Sequence, residues 1–125
     1  MDFKLFISGS TQYADPYIME KRVSEFMNMI ARMHFGKDVI SLFTGTPGAE
    51  SMGADLAKKK GWQCLTLSSG NLYHRMGNAI ENANAAIFFY EQLDGSTHAI
   101  NLARAAQIPY AVVASDAMTV FNLQA

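Results

Sequence analysis

The segment SLFTGTPGAESMGADLA, residues 41–57, joins an apolar run to a helical pattern through a cluster of small residues. Its first part has the length and composition of a buried strand, and the residues after the glycines favour a helix. A strand that leads through a short turn into a helix is typical of a parallel α/β sheet. Glycine also lets a ligand approach the backbone, and a helix N-terminus presents unpaired N–H groups, so the same segment suits an anion.

The same alternation of short apolar runs and helical patterns continues along the chain. Nearly continuous apolar strands between helices indicate a mostly parallel sheet that is covered on both faces. The sequence therefore predicts an α/β fold, a single Rossmann-like domain over residues 1–125 with a mostly parallel five-stranded sheet and helices on both faces. The predicted strands are 3–7, 39–43, 63–67, 85–90 and 110–113, and the predicted helices are 17–33, 50–60, 72–83 and 97–106.

Composition limits the classes of protein to which the chain can belong. It has 125 residues, of which 50% are hydrophobic, and this is enough for one core. A net charge of −1 without a basic stripe makes a nucleic-acid partner unlikely. The one cysteine, Cys64, lies in an apolar run and is predicted to be a buried, inert thiol in a reducing cytoplasm. No signal pattern is visible and no apolar run approaches the roughly 20 residues that span a bilayer, so a cytoplasmic protein without a membrane partner is expected.

Two segments carry apolar residues whose partner the sequence leaves open. The predicted helix 17–33 follows a predicted N-cap at Asp15, and its apolar face is wider than one side of a sheet needs. We therefore expect a homo-oligomer. The tail from residue 115 to 125 is expected to dock on the edge of the domain or on a second subunit. The helix residues in question are Val23, Phe26, Met27, Met29, Ile30 and Met33, and those of the tail are Met118, Val120, Phe121 and Leu123.

Three loops that follow predicted strands are rich in glycine and hydroxyl side chains: residues 8–11, 44–50 and 91–98. In open parallel sheets, ligands bind beyond the carboxyl ends of the strands, so the three loops together predict an anion or phosphate cradle. The alternative is that each loop is only a turn, since Gly, Ser and Thr are also preferred there for backbone and capping reasons. Neither a Walker loop nor a Gly-x-Gly-x-x-Gly fingerprint is present, and no spacing suggests a metal site or a cofactor.

The order of several short motifs resembles that of the SLOG superfamily. These motifs are Gly9-Ser10, the run 44–50, the pair His74-Arg75, the run 84–87 and the run 95–104, and together they span nearly all of residues 3–113. The resemblance implies a Rossmann-like fold that binds nucleotides or nucleotide-derived molecules near the glycine-rich loops. The superfamily includes phosphoribohydrolases, DNA-processing proteins and sensors of nucleotide signals.

The chain departs from the motifs of that superfamily at several positions. Thr11 replaces the arginine that follows Gly-Ser, which leaves Arg75 as the main candidate for a charged clamp on phosphate. Thr44 replaces a glycine, and Glu50 replaces the aspartate that closes the second motif. The glutamate that acts on ribose in the phosphoribohydrolases has an apolar counterpart near Ile100. The resemblance therefore implies binding more than turnover.

These observations predict a protein that binds a nucleotide-derived small molecule, of the ADP-ribose, NAD-derived or nucleoside-phosphate type, as a sensor or sequestering protein. The alternative is an N-glycosidic hydrolase or transferase in which Glu50 is the acid, although Glu50 is also suited to a helix N-terminus for its charge alone. Tyr13 and Tyr73 are expected either to stack on a base or to close the core. The predicted ligand-binding residues are Gly9, Ser10, Thr11, Gly45, Thr46, Gly48, Ala49, Glu50, Arg75, Gly95, Ser96, Thr97 and His98.

Overall fold

A computed structural model describes residues 1–91 and 98–123. The strands are β1 (Asp2–Gly9), β2 (Asp38–Phe43), β3 (Gln63–Thr66), β4 (Ala85–Tyr90), β5 (Tyr110–Ala114) and β6 (Ala117–Phe121). Within these described residues they form one six-stranded sheet with the order β3-β2-β1-β4-β5-β6, in which every neighbouring pair is parallel except β5 and β6. The helices are α1 (Pro16–Met29), α2 (Ala31–His34), α3 (Ala49–Lys59), α4 (Leu72–Asn82) and α5 (His98–Ala106).

Two separate apolar clusters cover the two faces of the sheet. Successive side chains of a strand point to opposite faces, so Phe3, Leu5 and Ile7 of β1 join one cluster and Phe6 joins the other. The first cluster contains the buried residues of α1 together with Ala49 and Leu56 of α3, and the second contains the buried residues of α4 and α5. The predicted α/β class, with a mostly parallel sheet and helices on both faces, is confirmed.

The predicted number of strands, five, is wrong, because the segment after β5 forms a sixth strand. β6 pairs antiparallel with β5, and Phe121 stacks on Tyr110 with the ring centroids 4.9 Å apart. Met118 and Val120 are half-buried and pack on the core, whereas their neighbours along β6 are exposed. This alternation has the period of a half-buried strand, which a search for continuous apolar runs overlooks. Residues 117–121 of the tail thus dock on the edge of the domain.

The predicted helix 17–33 is interrupted at Ile30, where φ is −107° and ψ is 24°. Asp15 caps α1 as expected, since its Oδ1 accepts a hydrogen bond of 3.0 Å from the N–H of Ile18. Neither glycine nor proline marks the interruption, and the apolar periodicity continues across it. The sequence therefore carries no signal for the end of α1. The domain's own core buries Val23, Phe26, Met27 and Ile30 and packs against Met33, while Met29 remains 47% exposed. The apolar face of α1 consequently gives the expected homo-oligomer no support.

Cys64 is exposed, so the prediction of a buried thiol is wrong. It lies on β3, an edge strand of four residues that are all exposed. An edge strand has only one neighbour, and an apolar run of sequence does not tell whether the strand lies at the centre or at the edge. Within the described ranges, no helix is both long and apolar enough to cross a bilayer.

Tyr13 is buried beside Phe89, with the ring centroids 5.4 Å apart, and its hydroxyl has no hydrogen-bond partner among the described residues. Burial, with smaller contributions from Asp15 and Asp116, raises the pKa of Tyr13 to about 12. The folded state therefore holds the phenol proton more tightly than the unfolded state does. The stability that this difference contributes is complete below pH 10, the ordinary pKa of tyrosine, and is lost as the pH rises through about 12.

We therefore expect Tyr13→Phe to flatten the dependence of stability on pH between about 10 and 12. At pH 7 the variant should be as stable as the parent within about 0.5 kcal/mol, or more stable, because the lost hydroxyl makes no hydrogen bond with any residue that the structure describes. Urea unfolding at a series of pH values measures both effects. Tyr17→Phe, at a tyrosine that is 74% exposed, is the control and should keep the slope of the parent. If stability depends on pH in Tyr13→Phe as it does in the parent, the raised pKa does not belong to Tyr13.

Candidate functional site

The strand order places a crevice between the carboxyl ends of β1 and β4. From β1 the chain moves outward to β2 and β3, and from β3 it returns through α4 to β4 on the other side of β1. Connections that leave two neighbouring strands in opposite directions open a space at their carboxyl ends, where ligands bind in such sheets. The fold itself therefore selects one position for a site.

An open cavity of about 410 Å³ lies at this position. Its floor is formed by the ends of β1 and β4, and its walls by the loops after β1 and β2, by residues 72–76 of α4 and by the first turn of α5. The cavity is on the side of the sheet that α4 and α5 cover. The described lining residues are Ser8, Gly9, Thr11, Thr46, Leu72, Tyr73, Met76, Tyr90, His98 and Ala99.

Four of the predicted ligand-binding residues line this cavity: Gly9, Thr11, Thr46 and His98. Three others, Gly95, Ser96 and Thr97, lie outside the described residues. The remaining six are not among the described lining residues, and the structure gives most of them a role in holding the loops. They are Ser10, Gly45, Gly48, Ala49, Glu50 and Arg75.

Backbone contacts tie the loop after β1 to the start of α3. The carbonyl oxygen of Ser10 accepts a hydrogen bond of 3.0 Å from the N–H of Ala49 and one of 3.3 Å from the N–H of Tyr13. Gly48 precedes α3 with a φ of +78°, and a Cβ there would lie 2.5 Å from the backbone of Ser10 and Thr11. Only glycine fits this conformation and this close approach. The two loops therefore form one packed unit beside the cavity.

Arg75 does not reach the cavity. Its Nη1 donates a hydrogen bond of 2.9 Å to the carbonyl oxygen of Gly70, in the loop that precedes α4. Asn71 caps the same helix, since its Oδ1 accepts a hydrogen bond of 2.9 Å from the N–H of His74. Arg75 thus stabilises the start of α4. None of the described residues that line the cavity is Lys or Arg, so none of them can hold a phosphate with a positive charge.

Glu50 is 2% exposed and lies beneath the cavity without lining it. Its Oε1 accepts a hydrogen bond of 2.7 Å from the N–H of Thr44, and the hydroxyl of Thr44 lies 2.8 Å from Oε1 and 2.7 Å from Oε2. Oε2 also accepts a hydrogen bond of 3.1 Å from the hydroxyl of Ser8. The carboxylate thereby joins the ends of β1 and β2 to the first turn of α3.

This environment replaces water around a buried charge that has no cationic partner among the described residues. Hydrogen bonds from hydroxyl and N–H groups offset much of the cost of burial, and the N-terminus of α3 favours a negative charge at Glu50. The chain of hydroxyls continues to Thr46, whose Oγ1 is 3.2 Å from Oγ1 of Thr44. Through Ser8 and Thr46, the network extends from the buried carboxylate to the wall of the cavity.

Aromatic and apolar side chains form the mouth of the cavity. The rings of Tyr73 and His98 are 4.5 Å apart at an angle of 60°, and Tyr73 is 69% exposed. Leu72 beside them is 41% exposed. Of the two tyrosines considered as base-stacking residues, Tyr73 lines the cavity, whereas Tyr13 belongs to the core on the opposite face of the sheet. An exposed aromatic pair over a concave surface suits a planar ligand.

Several residues that line the cavity are not among the predicted ligand-binding residues. Ser8 is a polar residue at the end of an apolar strand, and Tyr90 closes β4, so both positions follow from the rule that sites form at carboxyl ends. Leu72, Met76 and Ala99 carry no such signal, because apolar residues in the first turns of helices more often belong to the core. Only the packing of α4 and α5 brings them to the cavity.

No family model, curated protein or solved structure matches the chain.

The close approach at Gly48 gives a first test of the loop unit. We expect Gly48→Ala to lower the free energy of unfolding by more than about 2 kcal/mol, because the added methyl group meets backbone at a positive φ. Gly45→Ala is the matched control: φ is +90°, but a Cβ meets nothing within 4 Å, so a loss of about 1 kcal/mol is expected. Urea unfolding measures both values, and equal losses would show that the contact with Ser10 and Thr11 is unimportant.

The network around Glu50 gives a second test. Glu50→Ala leaves the N–H of Thr44 and two buried hydroxyls without their acceptor, so we expect a loss of about 3 kcal/mol in the free energy of unfolding. Glu81→Ala, at an exposed carboxylate near the end of α4, should change this free energy by less than about 0.5 kcal/mol. A similarly small effect at Glu50 would contradict the structural role.

Proposed function

We propose that the chain binds a nucleotide-derived small molecule in the cavity between β1 and β4. The observation that carries this proposal is the position of the cavity, at the carboxyl ends of two parallel strands whose connections run in opposite directions. A volume of about 410 Å³ is within the usual range for small-molecule sites. The resemblance of the motifs to the SLOG superfamily supports the same class of ligand.

The two ends of the cavity suit the two ends of such a molecule. A base stacks at the mouth beside Tyr73 and His98, where an aromatic face is exposed. The sugar lies against Thr11 and Thr46, two lining residues whose hydroxyl groups are suited to its own. Phosphate groups rely on backbone N–H groups and helix N-termini, because no described lining residue is Lys or Arg.

In this proposal the protein binds its ligand and does not convert it, and it acts as a sensor or sequestering protein in the cytoplasm. An N-glycosidic hydrolase needs a carboxylate in contact with the substrate. No described residue that lines the cavity is Asp or Glu, and both carboxylate oxygens of Glu50 are engaged by Thr44 and Ser8 below the cavity floor. The geometry therefore gives the enzymatic alternative no support from Glu50.

Calorimetry with AMP, ADP-ribose, NAD and cyclic nucleotides tests the proposal. We expect at least one of them to bind, and we expect Tyr73→Ala to weaken that binding about tenfold or more, since stacking on an aromatic side chain is worth about 1–3 kcal/mol. Tyr17→Ala removes a tyrosine of similar exposure that does not line the cavity, and it should leave the affinity unchanged. Failure of the whole panel to bind at millimolar concentration would overturn the proposal.

A further inference from the structure

The position of each proton in the Glu50 network follows from the contacts. A carboxylate only accepts hydrogen bonds, and a hydroxyl has a single proton to donate. The hydroxyl of Thr44 is 2.8 Å from one oxygen of Glu50 and 2.7 Å from the other, so its proton is used on the carboxylate. The hydroxyl of Ser8 donates to Oε2 in the same way, at 3.1 Å.

The direction of the next hydrogen bond is fixed by this use of protons. Oγ1 of Thr46 lies 3.2 Å from Oγ1 of Thr44, and geometry alone allows either hydroxyl to donate. Since the proton of Thr44 points to Glu50, Thr46 donates its own proton to Thr44. The hydroxyl oxygen of Thr46 then has only lone pairs left for a ligand, so it acts as a hydrogen-bond acceptor in the cavity.

Thr46 is the member of the network that a ligand reaches. It is 8% exposed and lines the cavity, whereas Ser8 is fully buried in the floor. The main chain holds Thr46 in place, because its carbonyl oxygen accepts a hydrogen bond of 3.3 Å from the hydroxyl of Ser51 in α3. The wall of the cavity thus presents an oriented oxygen acceptor.

We infer that Thr46 selects ligands by accepting a hydrogen bond from a sugar hydroxyl, and that Glu50 is the positioning residue that turns Thr46 into an acceptor. This inference rests on the proposed function and specifies its ligand as a nucleoside phosphate with an intact ribose diol. An ionised phosphate oxygen has no proton to donate and is disfavoured at Thr46. The phosphate therefore points away from this wall, and the ribose lies against it.

The unmodified protein provides the primary test. AMP and 2′,3′-dideoxy-AMP share the base and the phosphate and differ only in the two hydroxyls. We expect calorimetry to show binding of AMP about tenfold tighter than that of the dideoxy compound, the size expected when one hydrogen bond is lost and a partly buried acceptor is left unpaired. Equal affinities would overturn the inference and leave the proposed function standing, whereas no binding of AMP at millimolar concentration would overturn both the inference and the assignment of a nucleoside phosphate.

Two variants separate Thr46 as an acceptor from Thr46 as a structural residue. Thr46→Val keeps the shape and removes the oxygen, so the affinity ratio between the two compounds should fall close to one. In Glu50→Gln, the side-chain oxygen still accepts from the N–H of Thr44, and the amide donates to Ser8 and the hydroxyl of Thr44. The hydroxyl of Thr44 then keeps one acceptor on this side chain, the oxygen 2.8 Å away that also accepts from the N–H of Thr44, so its proton is held less firmly and the ratio should fall below that of the parent.

Glu81→Gln makes the same chemical change at an exposed position and should keep the tenfold ratio. Circular dichroism melting establishes that each variant is folded before its ratio is used. A ratio, unlike a single affinity, does not change when a variant only loosens the site equally for both compounds. A folded Glu50→Gln or Thr46→Val protein that keeps the full ratio would overturn the inference.

Discussion

The shape of the candidate site depends on the hydrogen bonds of one buried carboxylate, that of Glu50. It lies in the first turn of α3 and accepts hydrogen bonds from Thr44 at the end of β2 and from Ser8 at the end of β1. A charge that is buried without a cation is costly unless hydrogen bonds replace its water. The loops after β1 and β2 supply those hydrogen bonds. A displacement of either loop would leave the carboxylate without hydrogen-bond donors, and this cost fixes the geometry of both loops.

The cavity follows from the fixed loops and from the strand order. Parallel strands whose connections run in opposite directions leave a space at their carboxyl ends, and hydrogen bonds tie the loop after β1, beside this space, to the start of α3. On the other side, α4 and α5 are held to the sheet by an apolar cluster, and their first turns place Tyr73 and His98 at the mouth. A site with a polar wall and an aromatic mouth is the outcome of two independent packing requirements.

The sequence predicted most of the fold because its signals are local. Apolar runs and helical periodicity located five strands and the main helices, and Asp15 marked a helix start that the structure confirms. The sixth strand was missed because its pattern alternates, the interruption at Ile30 has no glycine or proline, and Cys64 was wrongly placed inside because a strand's position in the sheet is not a local property.

For the candidate site, the sequence by itself determined the loops, since glycine and hydroxyl residues after strands are read directly from the chain. Gly9, Thr11, Thr46 and His98 are predicted in this way as ligand-binding residues, and all four line the cavity. The tertiary structure decided the direction of each side chain. It turned Arg75 towards Gly70, buried Glu50 below the floor and brought Tyr73 to the mouth. Composition and spacing specify which groups are available, whereas contacts between residues distant in sequence determine which of them a ligand meets.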